Sequence, residues 1–142
     1  MREILFRGKR LDNGEWVEGD FFHNDDTRFP KVFIGSLVLS KDKYNGCISF
    51  DGYCLYEVDP ETVGQYTGIK DKNGKRIFEG DIVRMRSPRF SLSGYGPVVF
   101  YSGRFAIIDS KRHRNYLLDK YPDEYQIVGN IHNNNSEDCG DS

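Results

Sequence analysis

Apolar and polar residues alternate along most of this chain, or the apolar ones gather in short runs bounded by Gly, Asn, Asp and Pro. No stretch holds a helical repeat of about 3.6 residues for three turns, so the pattern predicts strands. In the first half they fall at Phe21–His23, Val32–Leu39, Cys47–Phe50, Tyr53–Val58 and Val63–Thr67. In the second half they fall at Ile82–Met85, Pro97–Tyr101, Arg104–Ile108 and Tyr125–Ile131. Asn13-Gly14 and Asn73-Gly74 stand between apolar flanks and supply the positive φ angles of type I′ hairpin turns. Asp51-Gly52 and Ser102-Gly103 read as two further two-residue turns. Asp59–Gly64 and Arg114–Lys120 are each expected to form a helical turn.

A repeat runs through this pattern. Phe6, Gly8, Asn13 and Gly14 match Tyr66, Gly68, Asn73 and Gly74 in order, and after one inserted residue Glu18-Gly19-Asp20 matches Glu79-Gly80-Asp81. ETVGQYTG at 61–68 is echoed by QIVGNIHN at 126–133. Several agreements in one order outweigh chance, although Asn-Gly and Gly-Asp are common turn dipeptides. The expected fold is therefore all-β: two tandem small barrel-like units of SH3-like size, packed into one compact domain. The first unit spans 1–65 and the second 66–131, with the Val63–Gly68 strand ending one and beginning the next. Gly19 and Gly80 are expected to serve as equivalent bends or close approaches. The tail, 132–142, has little to bury and is expected to be disordered.

The run VGQYTGIKDKNGKRIFEGDIV at 63–83 resembles the signature of the YopX-like proteins of bacteriophages and prophages. The opening REILFRGKRLDNGEWVEG and the late IVGNIH resemble that family's ends, so the likeness covers about residues 2–133. It implies a mostly β protein of a phage or integrated element, acting inside a bacterial cell. It brings no activity, cofactor or catalytic residue, and residues 24–50 and 87–125 match its pattern poorly.

Charge separates the two halves. Residues 1–65 carry 8 Lys+Arg against 12 Asp+Glu, a net of −4, while residues 66–131 carry 12 against 7, a net of +5. Three acids in the tail bring the whole chain of 142 residues to −2. The basic excess lies in RMRSPRF (Arg84, Arg86, Arg89, with Phe90) and SKRHRNY (Lys111, Arg112, Arg114, with His113 and Tyr116). Arginine forks onto phosphate and stacks on rings, so these stretches are the candidate contacts for nucleic acid or for an acidic partner. With hydrophobic residues at only 37% and aromatics at 14%, rings must supply much of the core, and Trp16 is expected to be at least partly buried.

Other chemistry finds little support. Cys47, Cys54 and Cys139 are an odd number in no metal-like spacing, and free thiols suit a reducing cytosol. His23, His113 and His132 are scattered, and no HExxH, CxxC, GxSxG, Walker or dinucleotide motif is present. The paired carboxylates of Glu18-Gly19-Asp20 and Glu79-Gly80-Asp81 recur at one place in both copies. That marks a turn device, with Asp accepting backbone N–H groups, rather than an acid–base pair. No run approaches the roughly 18–20 apolar residues of a membrane helix, and the start lacks a secretory signal. No catalytic, metal or cofactor site is expected, nor a small-molecule substrate or a membrane partner. The sequence favours a non-enzymatic, cytoplasmic interaction or assembly module that forms homo-oligomers. The alternative is a small-barrel protein that binds nucleic acid through the basic loops of its second unit.

Overall fold

The computed structural model describes residues 3–24, 28, 31–44, 47–88, 91–118 and 124–133, and among residues 37–53 the backbone alone. Among the described residues the named elements are β-strands, with a 3₁₀ turn at Pro60–Thr62. It divides into two compact units, Ile4–Val63 and the chain from Gly64 onward, which also takes in Glu3.

In the first unit, β1 (Phe6–Lys9), β2 (Trp16–His23), β3 (Val32–Tyr44) and β4 (Cys47–Val58) form an antiparallel meander. The meander curls back on itself. Arg10 bridges Val58, the Leu11 N–H donates to the Glu57 carbonyl at 3.0 Å, and the Asp59 N–H donates to that of Lys9 at 2.8 Å. Asp59 then caps the 3₁₀ turn by accepting from the Glu61 N–H, as a short acidic side chain does at an N-cap. Buried Thr62 fastens this corner to β1: its Oγ1 accepts from the Lys9 N–H at 2.9 Å and donates to the Asp59 carbonyl at 2.7 Å. Ile34 and Val58 are the centre of a small core. Rings extend it, with Phe6 and Phe21 centroids 5.4 Å apart. Trp16 is half-buried, and the cations of Arg7 and Lys9 lie 4.6 and 5.4 Å from its ring centroid.

In the second unit, β5 (Gly64–Lys70) and β6 (Arg76–Phe78) make a hairpin. A five-stranded open sheet follows: β7 (Asp81–Ser87), β8 (Leu92–Tyr101), β9 (Arg104–Asp109), β10 (Arg114–Leu117) and β11 (Tyr125–Asn130), in the order β10-β9-β8-β7-β11. Ile77, Val83, Met85, Val98, Ile107, Tyr116 and Tyr125 form its core. On β7 the inward residues Val83, Met85 and Ser87 alternate with exposed Arg84 and Arg86, the strand's period of two written out in side chains.

The repeat is visible, with one change. Asn13-Gly14 links β1 to β2 and Asn73-Gly74 links β5 to β6, so both occupy hairpin turns. The turns are longer than the expected two-residue type I′. The Arg10 N–H reaches the Glu15 carbonyl and the Asp71 N–H reaches that of Lys75, enclosing four and three residues. Gly14 and Gly74 carry φ of 73° and 81°, while Asn13 and Asn73 stay at negative φ. Their companions explain this. Asn13 Oδ1 accepts from the Glu15 N–H, and the buried Asp71 carboxylate accepts from Asn73, Lys75 and Ile127 N–H groups at 2.9, 2.9 and 3.2 Å. Ser102-Gly103 does form the two-residue turn with both φ positive, 50° and 80°.

Gly19 and Gly80 are not equivalent bends. Gly19 lies inside β2 opposite Phe6, where a Cβ would meet the Gly35 carbonyl oxygen at 2.5 Å. Gly80 turns the chain at φ 89° between β6 and β7, so the single strand of the first copy is broken in two in the second. Asp51-Gly52 is no turn either. The β3–β4 pairing runs through this dipeptide as far as Tyr44 opposite Cys47. Val38 faces Gly52 and Leu39 faces Phe50, which makes Asp51 the extra residue of a bulge. Cys47 and Cys54 therefore share β4 and stand on the order of 20 Å apart along an extended strand, too far to bond. Cys54 is a free, exposed thiol. The expected helical turn at Arg114–Lys120 is replaced over Arg114–Leu117 by β10, whose register against β9 buries Tyr116. Cys139 and the tail from 134 onward lie outside the described residues.

Candidate nucleic-acid interface

The sheet of the second unit aligns side chains across strands. Arg84 on β7 faces Tyr95 on β8 and Gln126 on β11, and Arg86 faces Ser93. Since Arg84 and Arg86 both point outward, they occupy the solvent face together with their cross-strand partners. The Arg84 guanidinium carbon lies 5.9 Å from the Tyr95 ring centroid, near the outer limit of a cation–π contact.

The turn after β9 delivers the second group of cations. Asp109, 1% exposed, accepts from the Arg112 N–H at 3.1 Å and from the Arg112 guanidinium at 2.9 Å. It also accepts from the Tyr95 N–H at 3.0 Å, which ties the turn to β8. His113 closes the turn at φ 54°. Lys111 and Arg112 thus converge with Arg84, Arg86 and Tyr95 around a cleft of about 430 Å³. A second cleft, of about 560 Å³, opens beside Arg84 and Arg86 and is lined further by Lys72, Glu124 and Gln126.

Asp109 also sets a pH response. Burial alone would raise its carboxyl, but the Arg112 and Tyr95 N–H groups and the Arg112 guanidinium outweigh burial and hold it below the usual carboxylate range. A lowered folded-state value adds stability that is complete above the unfolded value, about 3.9, and is lost as pH falls through the folded value. Urea denaturation is therefore expected to show Asp109→Asn less stable than the parent at pH 5, with the gap narrowing at pH 3. A gap of unchanged size at pH 3 would contradict the charged contact.

Four of the sequence candidates, Arg84, Arg86, Lys111 and Arg112, come together. Arg114 is exposed on β10 opposite Asp109 and lines neither cleft. Tyr116 is not a surface ring: it is 8% exposed, donates its hydroxyl to the Ser93 carbonyl, and packs against Gly94 where a Cβ would overlap it. Arg89 and Phe90 lie outside the described residues. Lys72, Tyr95 and Gln126 were missed. Tyr95 sits in a Gly-Tyr-Gly run that carries no charge signal, and Lys72 and Gln126 approach only through pairing that a single sequence does not reveal. Among the described residues no three His, Cys, Asp or Glu side chains gather as metal ligands would, and no helix is long and apolar enough to cross a membrane.

A family model described as "YopX protein" matches residues 5–137. Among solved structures, the chain resembles protein EF1440 from Enterococcus faecalis, with 23% identity, a TM-score of 0.52, and coverage of 93% of this chain and 95% of that one. At that identity the likeness concerns the fold. No curated protein matches.

Proposed function

The chain belongs to the YopX protein family, and on that footing we propose that it is a non-enzymatic binding protein of a phage or mobile element. In this reading it engages single-stranded nucleic acid inside the bacterial cell through the basic face of its second unit. The observation that supports it is the convergence of Arg84 and Arg86 from β7 with Lys111 and Arg112 from the turn after β9 around Tyr95. Four cations on one cleft suit phosphate groups. A ring among them favours unpaired bases, because stacking adds roughly 1–3 kcal/mol per base while duplex bases are already stacked.

Four phosphate contacts give a log–log salt slope of about −3 on single strands. Titration of a fluorescent mixed-sequence oligonucleotide at about 50 mM salt is expected to give binding at or tighter than the non-specific range of roughly 10⁻⁴–10⁻⁶ M. The double variant Arg84→Gln/Arg86→Gln is expected to bind more weakly, with a slope shallower by about 1.4. Lack of binding by the parent chain overturns the proposal.

A second reading is self-association, the acidic first unit of one copy meeting the basic second unit of another. The opposed nets of −4 and +5 favour it. So do the exposed Leu11, Leu55 and Tyr56 of the first unit, since exposed ion pairs alone contribute less than about 1 kcal/mol each. Sedimentation of the same samples separates the two: a monomer at tens of micromolar at low and moderate salt removes the self-associating form.

A further inference from the structure

The two clefts of the second unit share Arg84 and Arg86. They flank one strand, β7, whose exposed residues are these two arginines. On the β11 side stand Lys72 and Gln126, and on the β8 side stand Tyr95, Lys111 and Arg112. Lys72 is exposed and anchored through its backbone, whose N–H donates to the Tyr125 carbonyl at 2.9 Å. The side chain therefore leaves from a fixed point beside β11.

We propose that the two clefts are halves of one groove that carries a single polynucleotide strand across β11, β7 and β8, with Lys72 holding a phosphate beyond the arginines and Tyr95 stacking on a base. The proposal rests on the basic-face reading, which already includes Tyr95, and extends it by Lys72 and by joining the two clefts. Charge complementarity supports a polyanion. Among the described residues, five cations line the groove against two carboxylates, and one of those, Asp109, is 1% exposed and already engaged by Arg112. The other, Glu124, accepts from the Ser87 hydroxyl at 3.1 Å, which holds it at the edge of β7. Arg112 spends part of its fork on Asp109, and its other N–H groups remain available to a phosphate oxygen. Tyr95 is half-buried and carried on the middle of β8, so its ring is presented to the groove by a strand rather than by a loop.

The test uses the full chain and a labelled mixed-sequence oligonucleotide at about 50 mM salt, beside an abasic strand of equal length. Tyr95→Leu is expected to weaken binding to the base-bearing strand by about 5- to 100-fold. Tyr95→Phe keeps the ring and is expected to stay within about 2-fold. On the abasic strand the parent and Tyr95→Leu should bind alike. Lys72→Gln should make the salt slope shallower by about 0.7. A parent-like salt slope for Lys72→Gln, where Arg84→Gln/Arg86→Gln has lost affinity, overturns the groove and leaves the basic face standing, whereas a parent-like titration by Tyr95→Leu removes the stacking ring from both readings. Lack of binding by the parent overturns both.

Discussion

Asp81→Ala is expected to destabilise the second unit by about 4 kcal/mol, whereas Asp20→Ala, at the matching place in the first copy, should change stability by less than about 0.5 kcal/mol. Asp81 is 2% exposed, and its carboxylate accepts from the Phe78 N–H at 2.8 Å and from the Asn130 side-chain amide at 3.1 Å. Asn130 in turn accepts from the His132 N–H at 2.8 Å, so one carboxylate joins the Glu79-Gly80 turn to the end of β11. Its removal strands two buried donors, each at a cost of about 1–3 kcal/mol. Asp20 is exposed on an unbroken strand opposite Gly35, and water takes its place at no such cost. Asp81→Asn keeps an acceptor and should fall between the two. Urea denaturation at neutral pH, with the slope unchanged among variants, reads these differences directly. Equal, small losses at both positions would mean that the turn stands without its carboxylate.

The second large effect is expected from Gly96→Ala, at about 3 kcal/mol. Gly96 is buried on β8, and an added Cβ would overlap the Ile108 carbonyl oxygen and lie 2.8 Å from its carbon. Both atoms are backbone, so β9 itself must shift. That shift also pulls at the Tyr95 N–H to Asp109 bond next to it and at the turn that presents Lys111 and Arg112. Gly14→Ala tests the opposite case. Nothing lies near its added Cβ, and only the φ of 73° resists, at about 1–2 kcal/mol. Thermal melts should rank Gly96→Ala below Gly14→Ala, and oligonucleotide affinity should fall only for the former. The reverse order would place conformation above contact at these two sites.

The all-β fold and the doubled hairpin were legible because alternation and Asn-Gly punctuation are local signals. What failed was non-local. Glu18-Gly19-Asp20 and Glu79-Gly80-Asp81 are the same tripeptide between apolar neighbours, yet the first runs straight because Gly19 lies against Gly35, a residue sixteen positions away. Asp51-Gly52 is a turn dipeptide by its letters, and only the pairing of β3 with β4 places it inside a strand. Tyr116 looked like a ring beside arginines. Its neighbours in sequence are exposed, but the register of β10 on β9 turns it inward onto Gly94. Of the candidate site, the charges were legible and their meeting place in part; the groove's other wall, from Lys72 to Gln126, depends on β11 returning beside β7.

The bulge at Asp51 has a bearing on solubility. β4 is twelve residues long and ends the order of strands in the first unit, and before its last residues, which Arg10 and Leu11 cover, its outer edge is the position at which a sheet invites another chain to extend it. A net charge of −2 gives little colloidal repulsion against such stacking. One extra residue near the middle of β4 throws its hydrogen-bonding groups out of regular spacing and increases the local twist. An incoming strand that registers with one half of β4 is then out of register with the other, so a backbone irregularity guards this chain against edge-to-edge aggregation.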